Sequence, residues 1–182
     1  MALCGITQPF NFDCNSLKRV SGVRRLWAFN VDDVVPIDPN GTGFVTGIQG
    51  KSAYTFLYEF ESKKNSFQFT HSLVVAESGA ISWTQTGVLR LFVDTPAEVQ
   101  ALSDLAVANV GFIVLTSNGQ FRIYGALNGM TAADPTTGTT GLNIGENTTD
   151  SITMVGSENV QYRILLATDY NTTLALVEAL EV

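Results

Sequence analysis

The chain carries little charge for its length, and it lacks the segments on which several classes of protein depend. Asp, Glu, Lys and Arg make up 15% of its 182 residues, and it has two cysteines. Cys4 and Cys14 cannot form a disulfide framework, so two reduced thiols are expected. The longest apolar run, Val110–Leu115, is far shorter than the ~18 residues that cross a bilayer, and the first residues do not resemble a signal peptide. We therefore expect neither secretion nor membrane insertion.

Motifs for catalysis or cofactor binding are also missing. The sequence contains no nucleophile elbow, Walker A loop, zinc-protease motif or paired C-x-x-C. The single histidine, His71, lies mid-strand on an otherwise apolar face, which favours a buried or interface side chain over a general base. The pairs Asp32–Asp33 and Glu59–Glu61 have no partner base, so each is interpreted as solvated or intersubunit charge. The sequence predicts a protein that is not an enzyme and that has no metal or cofactor.

Acidic residues outnumber basic ones, and the excess lies in the second half of the chain. The formal net charge is −7, which argues against a groove that grips nucleic acid through its phosphates. Residues 1–90 hold eight Lys and Arg against seven Asp and Glu, whereas residues 91–182 hold two against ten. The split is compatible with an acidic surface that meets a basic one on another subunit, with a channel wall that repels DNA, or with chance.

Period-two alternation of apolar and polar residues is the main structural signal. It runs through residues 53–60, through 67–75 and through 81–85, and a further strand is predicted over 88–93. Short polar turns separate these segments. The pattern predicts an antiparallel meander.

One helix is predicted, over about residues 95–108. Thr95 suits the N-cap, Pro96 the first helical position and Glu98 the partner position of a capping box. Val99, Leu102 and Leu105 recur at helical spacing, so one face is expected to pack on a sheet.

A hairpin, a loop and a closing pair of strands are predicted beyond the helix. Asn118–Gly119, between two apolar segments, indicates a hairpin with a type I′ turn. The Thr- and Gly-rich stretch 128–150 indicates a long polar loop. Residues 151–155 and 159–167 are predicted to pair, while 171–182 fits a strand or a short amphipathic helix equally well.

A basic cluster, Lys18, Arg19, Arg24 and Arg25, lies near the N-terminus. Residues 1–18 are predicted to form an extended arm, followed by one β-rich domain over 19–182. The cluster lacks the charge and the interleaved aromatic residues of a nucleic-acid site, so an assembly contact or a plain exposed strand edge is preferred. Seven charged residues are candidate assembly contacts: Lys18, Arg19, Arg24, Arg25, Asp134, Glu146 and Asp150.

Two segments resemble known virion proteins. LKRVSGVRRLWAFNVDDV near the start and ISWTQTGVLRLFVDTPAEVQALSDLAVANVGFIVLTSNGQFRIYGALNGM in the middle are similar to structural proteins of phages of Bacteroidetes, the crAss-like group among them. The order of arm, meander, helix, hairpin, loop and closing strands resembles the bacteriophage tail-tube family.

This resemblance implies a mainly β fold, an antiparallel β-sandwich or partly closed barrel with one flanking helix. The expected function is a self-assembling ring or tube subunit of a phage tail or head–tail connection. Its partners would be copies of itself and neighbouring ring proteins, with DNA passing through the lumen without specific binding. The protein would be made in the host cytoplasm and would reside in the virion.

Two other classes stay open. A β-sandwich that recognises a glycan or receptor, in a capsid decoration or a fibre, would expose Trp27 or Trp83 in a shallow groove. A hydrolase would place His71 in a pocket with carboxylates.

Overall fold

The computed structural model describes residues 22–38, 43–51, 57–60, 66–91, 95–139 and 149–181, with the backbone alone described over 134–139 and at 149. Within these ranges the chain forms strands and two helices. Their order is β1 Val23–Asn30, β2 Val34–Ile37, β3 Phe44–Val45, β4 Gly47–Gly50, β5 Tyr58–Phe60, β6 Phe67–Val75, β7 Ile81–Leu91, α1 Pro96–Val107, β8 Val110–Thr116, β9 Phe121–Tyr124, β10 Thr131–Thr139, β11 Thr149–Glu158, β12 Arg163–Leu165 and α2 Tyr170–Glu178.

Two large sheets pack face to face. One has six strands in the order β3-β12-β9-β8-β1-β5, the other has four in the order β10-β11-β7-β6, and β2 pairs with β4 alone. The pairings are antiparallel except for β12 with β3. The sheets do not close into a barrel. The predicted mainly β fold, a sandwich with a flanking helix, is confirmed.

The six-stranded sheet is covered on both faces. Alternate residues of β1 therefore enter two cores: Leu26 and Ala28 face the four-stranded sheet, whereas Trp27 and Phe29 face α2 and the β2–β4 pair. Strand β8 is buried along Val110–Leu115 in the same way. A strand buried on both faces needs apolar residues at every position, which explains why this segment is a continuous apolar run.

Helix α1 begins where the sequence predicts. The Thr95 hydroxyl accepts a hydrogen bond from the Glu98 amide, and the Glu98 carboxylate accepts one from the Thr95 amide at 2.7 Å. These two bonds confirm the capping box. The helix buries Leu105 in the core between the two large sheets.

The C-terminal segment, which the sequence left open, forms helix α2. Its N-cap is Asp169, whose carboxylate accepts the Thr172 amide at 2.8 Å, and this bond lowers the pKa of Asp169. The Val177 side chain of α2 is buried in the core between this helix and the six-stranded sheet. Neither helix of the described ranges has the length and apolar character that crossing a membrane requires.

The predicted hairpin of β8 and β9 is confirmed, but its turn differs. Three residues separate Thr116 from Gln120, whose backbones bond each other at 2.9 Å, and the Gly119 amide donates to the Thr116 carbonyl. Gly119 has φ +78°. The predicted two-residue type I′ turn is therefore wrong, because a third loop residue is accommodated by a glycine in the left-handed region.

The meander is confirmed only in part. Strands β6 and β7 form a hairpin, and β7 runs unbroken over 81–91 rather than as two strands. Strand β5, however, pairs with β1 in the six-stranded sheet. The first predicted hairpin is wrong, because alternation identifies strands but does not identify their partners.

The predicted loop over 128–150 is wrong at both of its described ends, while residues 140–148 lie outside the described residues. The predicted closing pair is also wrong. Residues 131–139 and 149–150 belong to β10 and β11, which pair with each other. Strand β11 also pairs with β7, whereas β12 pairs with β9 and β3 in the other sheet. The stretch is too polar to look like a core segment, yet Thr has a high strand propensity and only one face of this sheet is buried.

Candidate assembly surface

The four-stranded sheet has two open edges within the described chain. Strands β6 and β10 form them, and each has nine residues. Since all three pairings in this sheet are antiparallel, β6 and β10 run in opposite directions. Long edges offer unpaired backbone groups to another chain, so these two strands are the candidate assembly edges.

Backbone hydrogen bonds show which residues of β6 face the open edge. The Arg90 amide bonds the Ser66 carbonyl, and the Ala76 amide bonds the Ala80 carbonyl. In an antiparallel ladder bonded pairs alternate, so the even-numbered residues of β6 bond β7. The odd-numbered residues direct their amides and carbonyls away from β7. The His71 amide is one of these edge-facing donors.

The β6–β7 hairpin extends beyond the body of the sandwich and exposes apolar side chains near its tip. Leu73, Val75 and Ile81 are 51%, 60% and 62% exposed, and Val75 lies directly opposite Ile81 in the ladder. Their sheet face is the one that carries core residues lower down the same strands, such as Phe67 and Leu89. The sheet face that is buried in the core is therefore exposed to solvent at the tip of the hairpin. A clustered apolar patch of this kind is typical of an interaction surface.

The opposite face of the four-stranded sheet carries hydroxyl groups and very little charge. Because Phe67, Leu89 and Met154 enter the core, their alternate neighbours point away from it. Arg90 is the charged residue among these outward side chains of β6, β7 and β11. The outward set is Gln68, Thr70, Ser72, Val74, Ser82, Thr84, Thr86, Val88, Arg90, Ser151, Thr153, Val155 and Ser157.

Arg25 lies at the centre of an ion-pair cluster within the chain. Its guanidinium binds Glu59 on β5, and it donates to Glu178 at 2.7 Å and Glu181 at 3.1 Å. It also stacks over the buried Trp27 ring, 4.5 Å from its centroid. The hydrogen bond from Arg25 lowers the pKa of Glu59, and the carboxylates raise the pKa of Arg25. These ion pairs connect α2 and Glu181 to strands β1 and β5 of the six-stranded sheet.

Two more polar groups are buried for structural reasons. The Glu158 carboxylate is 2% exposed and accepts the amides of Leu127 and Asn128 through Oε1, which fixes the turn that leads into β10. Arg163 is 5% exposed and donates to Asp38 at 2.6 Å. Burying either charge without such a partner would cost several kcal/mol, about 3–5 for a buried pair that loses one member.

His71 lies among aromatic rings rather than carboxylates. Its ring contacts Trp83 and Tyr162 edge-on, with centroids 5.6 and 5.4 Å apart. Desolvation, with a smaller contribution from the charge of Arg122, lowers the pKa of His71. No group of three or more metal-binding side chains occurs among the residues that the structure describes. Trp27 is fully buried, so of the two tryptophans only Trp83 is available at a surface.

The candidate assembly contacts lie at separate places. Arg24 is exposed on β1, and Asp150 is half-buried on β11. Asp134 belongs to β10, while Lys18, Arg19 and Glu146, with the predicted arm, fall outside the described residues. Arg25 is engaged by three carboxylates of its own chain, so we assign it to the fold rather than to assembly.

The acidic residues beyond residue 90 whose side chains the structure describes do not form one surface. Four of these seven have local roles: Glu158 fixes a buried turn, Asp169 caps α2, and Glu178 and Glu181 bind Arg25. The expectation of an acidic wall built from this half of the chain is not supported by these positions. Net charge along a sequence does not determine which face each residue occupies.

The exposed apolar tip of the β6–β7 hairpin was missed from the sequence. Leu73 and Val75 share a strand face with Phe67 and Phe69, and alternation therefore indicates burial for all four. Nothing in the alternation marks where the partner sheet ends. The length of this hairpin, nine and eleven residues against a mean strand of about five to six, is the signal that could have found it.

Comparison of this chain with protein-family models, with curated proteins and with solved structures finds no match. The resemblance to virion proteins therefore rests on the sequence segments quoted above. The resemblance to the tail-tube family rested on the predicted order of elements, in which the meander is confirmed only in part and the closing pair of strands is wrong. The assignment of function rests on those segments together with the two open edges and the apolar hairpin.

Proposed function

We propose that this chain is a virion structural protein that assembles with copies of itself into a ring or tube of a phage tail or head–tail connection. The observation that carries the proposal is that, within the residues that the structure describes, the four-stranded sheet ends in two nine-residue strands, β6 and β10. Edges of this length are a hazard for a monomer, and ring closure removes them.

The direction of the two edges suits head-to-tail assembly. In a ring every copy has the same orientation relative to the axis, so β6 of one copy meets β10 of the next. Because β6 and β10 run in opposite directions, this contact is antiparallel, like the other pairings in the sheet. An even number of alternating strands thus supports one continuous antiparallel sheet around the ring.

The uncharged face suits the inner wall of a channel for DNA. Rows of lysine or arginine would hold a passing phosphate backbone through counterion release. Apart from Arg90, the outward side chains of β6, β7 and β11 offer hydroxyls, an amide and valines. DNA would pass such a wall without specific binding. The resemblance to virion proteins adds the location, in the tail or at the head–tail connection.

The proposal is tested by measuring assembly of the whole chain and of two variants at His71. Light scattering after size exclusion, with electron microscopy of the same sample, is expected to show a defined oligomer with a central channel. His71→Pro removes an edge-facing amide without removing a bond to β7, and we expect it to abolish the oligomer. His71→Ala keeps the amide and is the matched control, which should assemble.

A monomer at high concentration, or equal assembly of the two His71 variants, would count against edge pairing. Circular dichroism and the midpoint of urea unfolding establish that both variants are folded. Loss of assembly in His71→Ala as well would assign the contact to the imidazole rather than to the strand edge.

A glycan- or receptor-binding module is the second candidate, and the ring contacts of Trp83 favour it. Trp83 is half-buried beside His71, and Tyr162 lies on the other side of that imidazole with Arg122 4.5 Å above its ring. Aromatic faces next to a guanidinium can stack on a sugar ring and donate to its hydroxyls. A monomeric protein that binds a glycan array, and loses binding in Trp83→Ala, would establish this function instead.

A further inference from the structure

The sandwich is open beside β6, where a cleft lies between the two large sheets. Its volume is about 420 Å³. Phe67 and Phe69 line it from β6, Val114 and Tyr124 line it from the six-stranded sheet, and Arg122 is the one charged residue of the lining. The lining also includes the polar residues Gln68 and Thr116, so the cleft fits a partner surface that combines apolar side chains with hydroxyl and acidic groups.

Helix α1 also presents an exposed stripe, whose valines belong to neither of the two cores formed by the described residues. Val99, Ser103 and Val107 follow each other at intervals of four, so they lie along one face of the helix. Val99 is 54% exposed and Val107 is 87% exposed. The Ser103 hydroxyl donates a hydrogen bond to the Val99 carbonyl at 2.9 Å. This hydroxyl is therefore satisfied within the helix and needs no water molecule as a partner. Leu105, by contrast, is buried in the core.

Helix and cleft lie at opposite edges of the sheet but at the same level. Helix α1 contacts β10 and lies on the core side of the four-stranded sheet. Its C-terminal end lies near the start of β10, because Val110, three residues beyond the helix, bonds Met130, which directly precedes β10. Along the ladder, Thr131 at the start of β10 is in line with Val155, Thr86 and Thr70. Thr70 directly follows Phe69 of the cleft. One edge of the sandwich is therefore covered by a helix at the level at which the other edge is open.

We propose that the Val99–Ser103–Val107 stripe of one copy fills the cleft beside β6 of the next copy. The inference rests on the proposed ring, in which β10 of the second copy continues the sheet at β6 and brings its α1 to the same side. Helix α1 carries Glu98 and Asp104 and has no basic residue, so its charge complements Arg122. Neighbouring copies in the ring are thus held together by this helix–cleft contact in addition to the pairing of β6 with β10.

The contact is tested with lysine substitutions on the helix surface. Val99→Lys and Val107→Lys each place a charge on the stripe, and Ala97→Lys places the same charge on an exposed position of α1 outside it. We expect each stripe variant to raise the concentration for half-assembly about tenfold or more. Ala97→Lys should assemble like the unmodified chain, and all three should unfold at an unchanged urea midpoint.

Photo-crosslinking identifies the surface that the stripe meets. With p-benzoylphenylalanine at position 107 of the full chain, we expect adducts between copies on peptides that contain Phe67–Phe69 or Val114–Tyr124. The same group at position 97 should not label those peptides. An intact oligomer with unchanged assembly of both stripe variants, or with adducts elsewhere, overturns the helix–cleft contact and leaves edge pairing standing. An unmodified chain that stays monomeric overturns both.

Discussion

The side chain of Gln85 in β7 holds the backbone of Gly125 across the sandwich. Its Oε1 accepts the Gly125 amide at 2.6 Å, while its Nε2 donates to the carbonyls of Val160 and Gln161, each at 3.1 Å. Gln85 is 1% exposed. One amide side chain therefore satisfies backbone groups of two turns that have no strand partners at these positions, and it joins the two large sheets through a buried polar contact.

Replacing Gln85 with leucine is expected to destabilise the fold by about 2–4 kcal/mol, because the buried Gly125 amide and two part-buried carbonyls lose their hydrogen-bond partners. Urea unfolding monitored by tryptophan fluorescence measures the loss. Gln68→Leu is the matched control in the neighbouring strand. Since Gln68 is exposed, its change should stay within about 0.5 kcal/mol. Equal effects of the two substitutions would show that the buried amide is dispensable.

Gly87 makes room for the ring of Phe69, which lies directly opposite it in the β6–β7 ladder. A Cβ at position 87 would stand 2.7 Å from Cε1 of Phe69. We expect Gly87→Ala to cost about 1–3 kcal/mol of unfolding free energy, because the ring must move within a packed core. A double-mutant cycle with Phe69→Leu checks the cause: the cost of Gly87→Ala should fall in that background. A cost that is the same in both backgrounds would assign the effect to the backbone.

The Arg25 cluster makes stability depend on pH through Glu59. The bond from Arg25 lowers the pKa of Glu59, so its contribution to stability is present above the ordinary glutamate value of about 4.3 and is lost as pH falls through the lower, folded value. We expect Glu59→Gln to lower stability by about 1–2 kcal/mol at neutral pH and by little once the pH lies below that folded value. Urea unfolding across the acidic range measures the two curves.

Glu178→Gln is the control for this prediction. Its carboxylate contacts the same guanidinium, but its side chain is 46% exposed against 23% for Glu59. Solvent screens the more exposed pair, so its substitution should cost less at every pH. Curves for Glu59→Gln and the unmodified chain that run parallel down to the lowest pH would contradict the assigned ion pair.

The hairpin tip is expected to matter for assembly and not for the fold of one chain. Val75 and Ile81 are 60% and 62% exposed, so a double substitution to serine should change the free energy of unfolding by no more than about 0.5 kcal/mol. It removes apolar area that the proposed oligomer would bury, and the oligomer should weaken. Glu77→Gln in the turn of the same hairpin is the control. Assembly that is indifferent to both changes would exclude the tip from the interface.

Local signals in the sequence predicted the elements that depend on neighbours in the chain. Thr95 and Glu98 identify the start of α1 because a capping box is complete within four residues. Gly119 indicates the β8–β9 hairpin because the turn requires a residue with positive φ, which glycine adopts without strain. The number of residues in that turn was predicted wrongly, since two- and three-residue loops share the same glycine signal.

Elements that depend on distant partners were predicted less well. Strand β5 alternates clearly, yet its partner is β1, which precedes it by about thirty residues along the chain, and not β6. Strands β10 and β11 are polar enough to resemble a loop, and the pairing of β10 with β11 and of β11 with β7 is what makes them part of a sheet. Of the candidate assembly residues, Arg25 was grouped with its basic neighbours, because its three carboxylate partners lie 34 to 156 positions away.

The sequence by itself determined a mainly β protein with a capped helix and a glycine hairpin, because these follow from residue periodicity and backbone preference over short spans. The tertiary structure alone decided that β6 and β10 are edges of opposite direction, and that the β6–β7 hairpin carries its apolar face beyond the core. Alternation reports that a face is apolar, and only the position of the second sheet decides whether that face is covered.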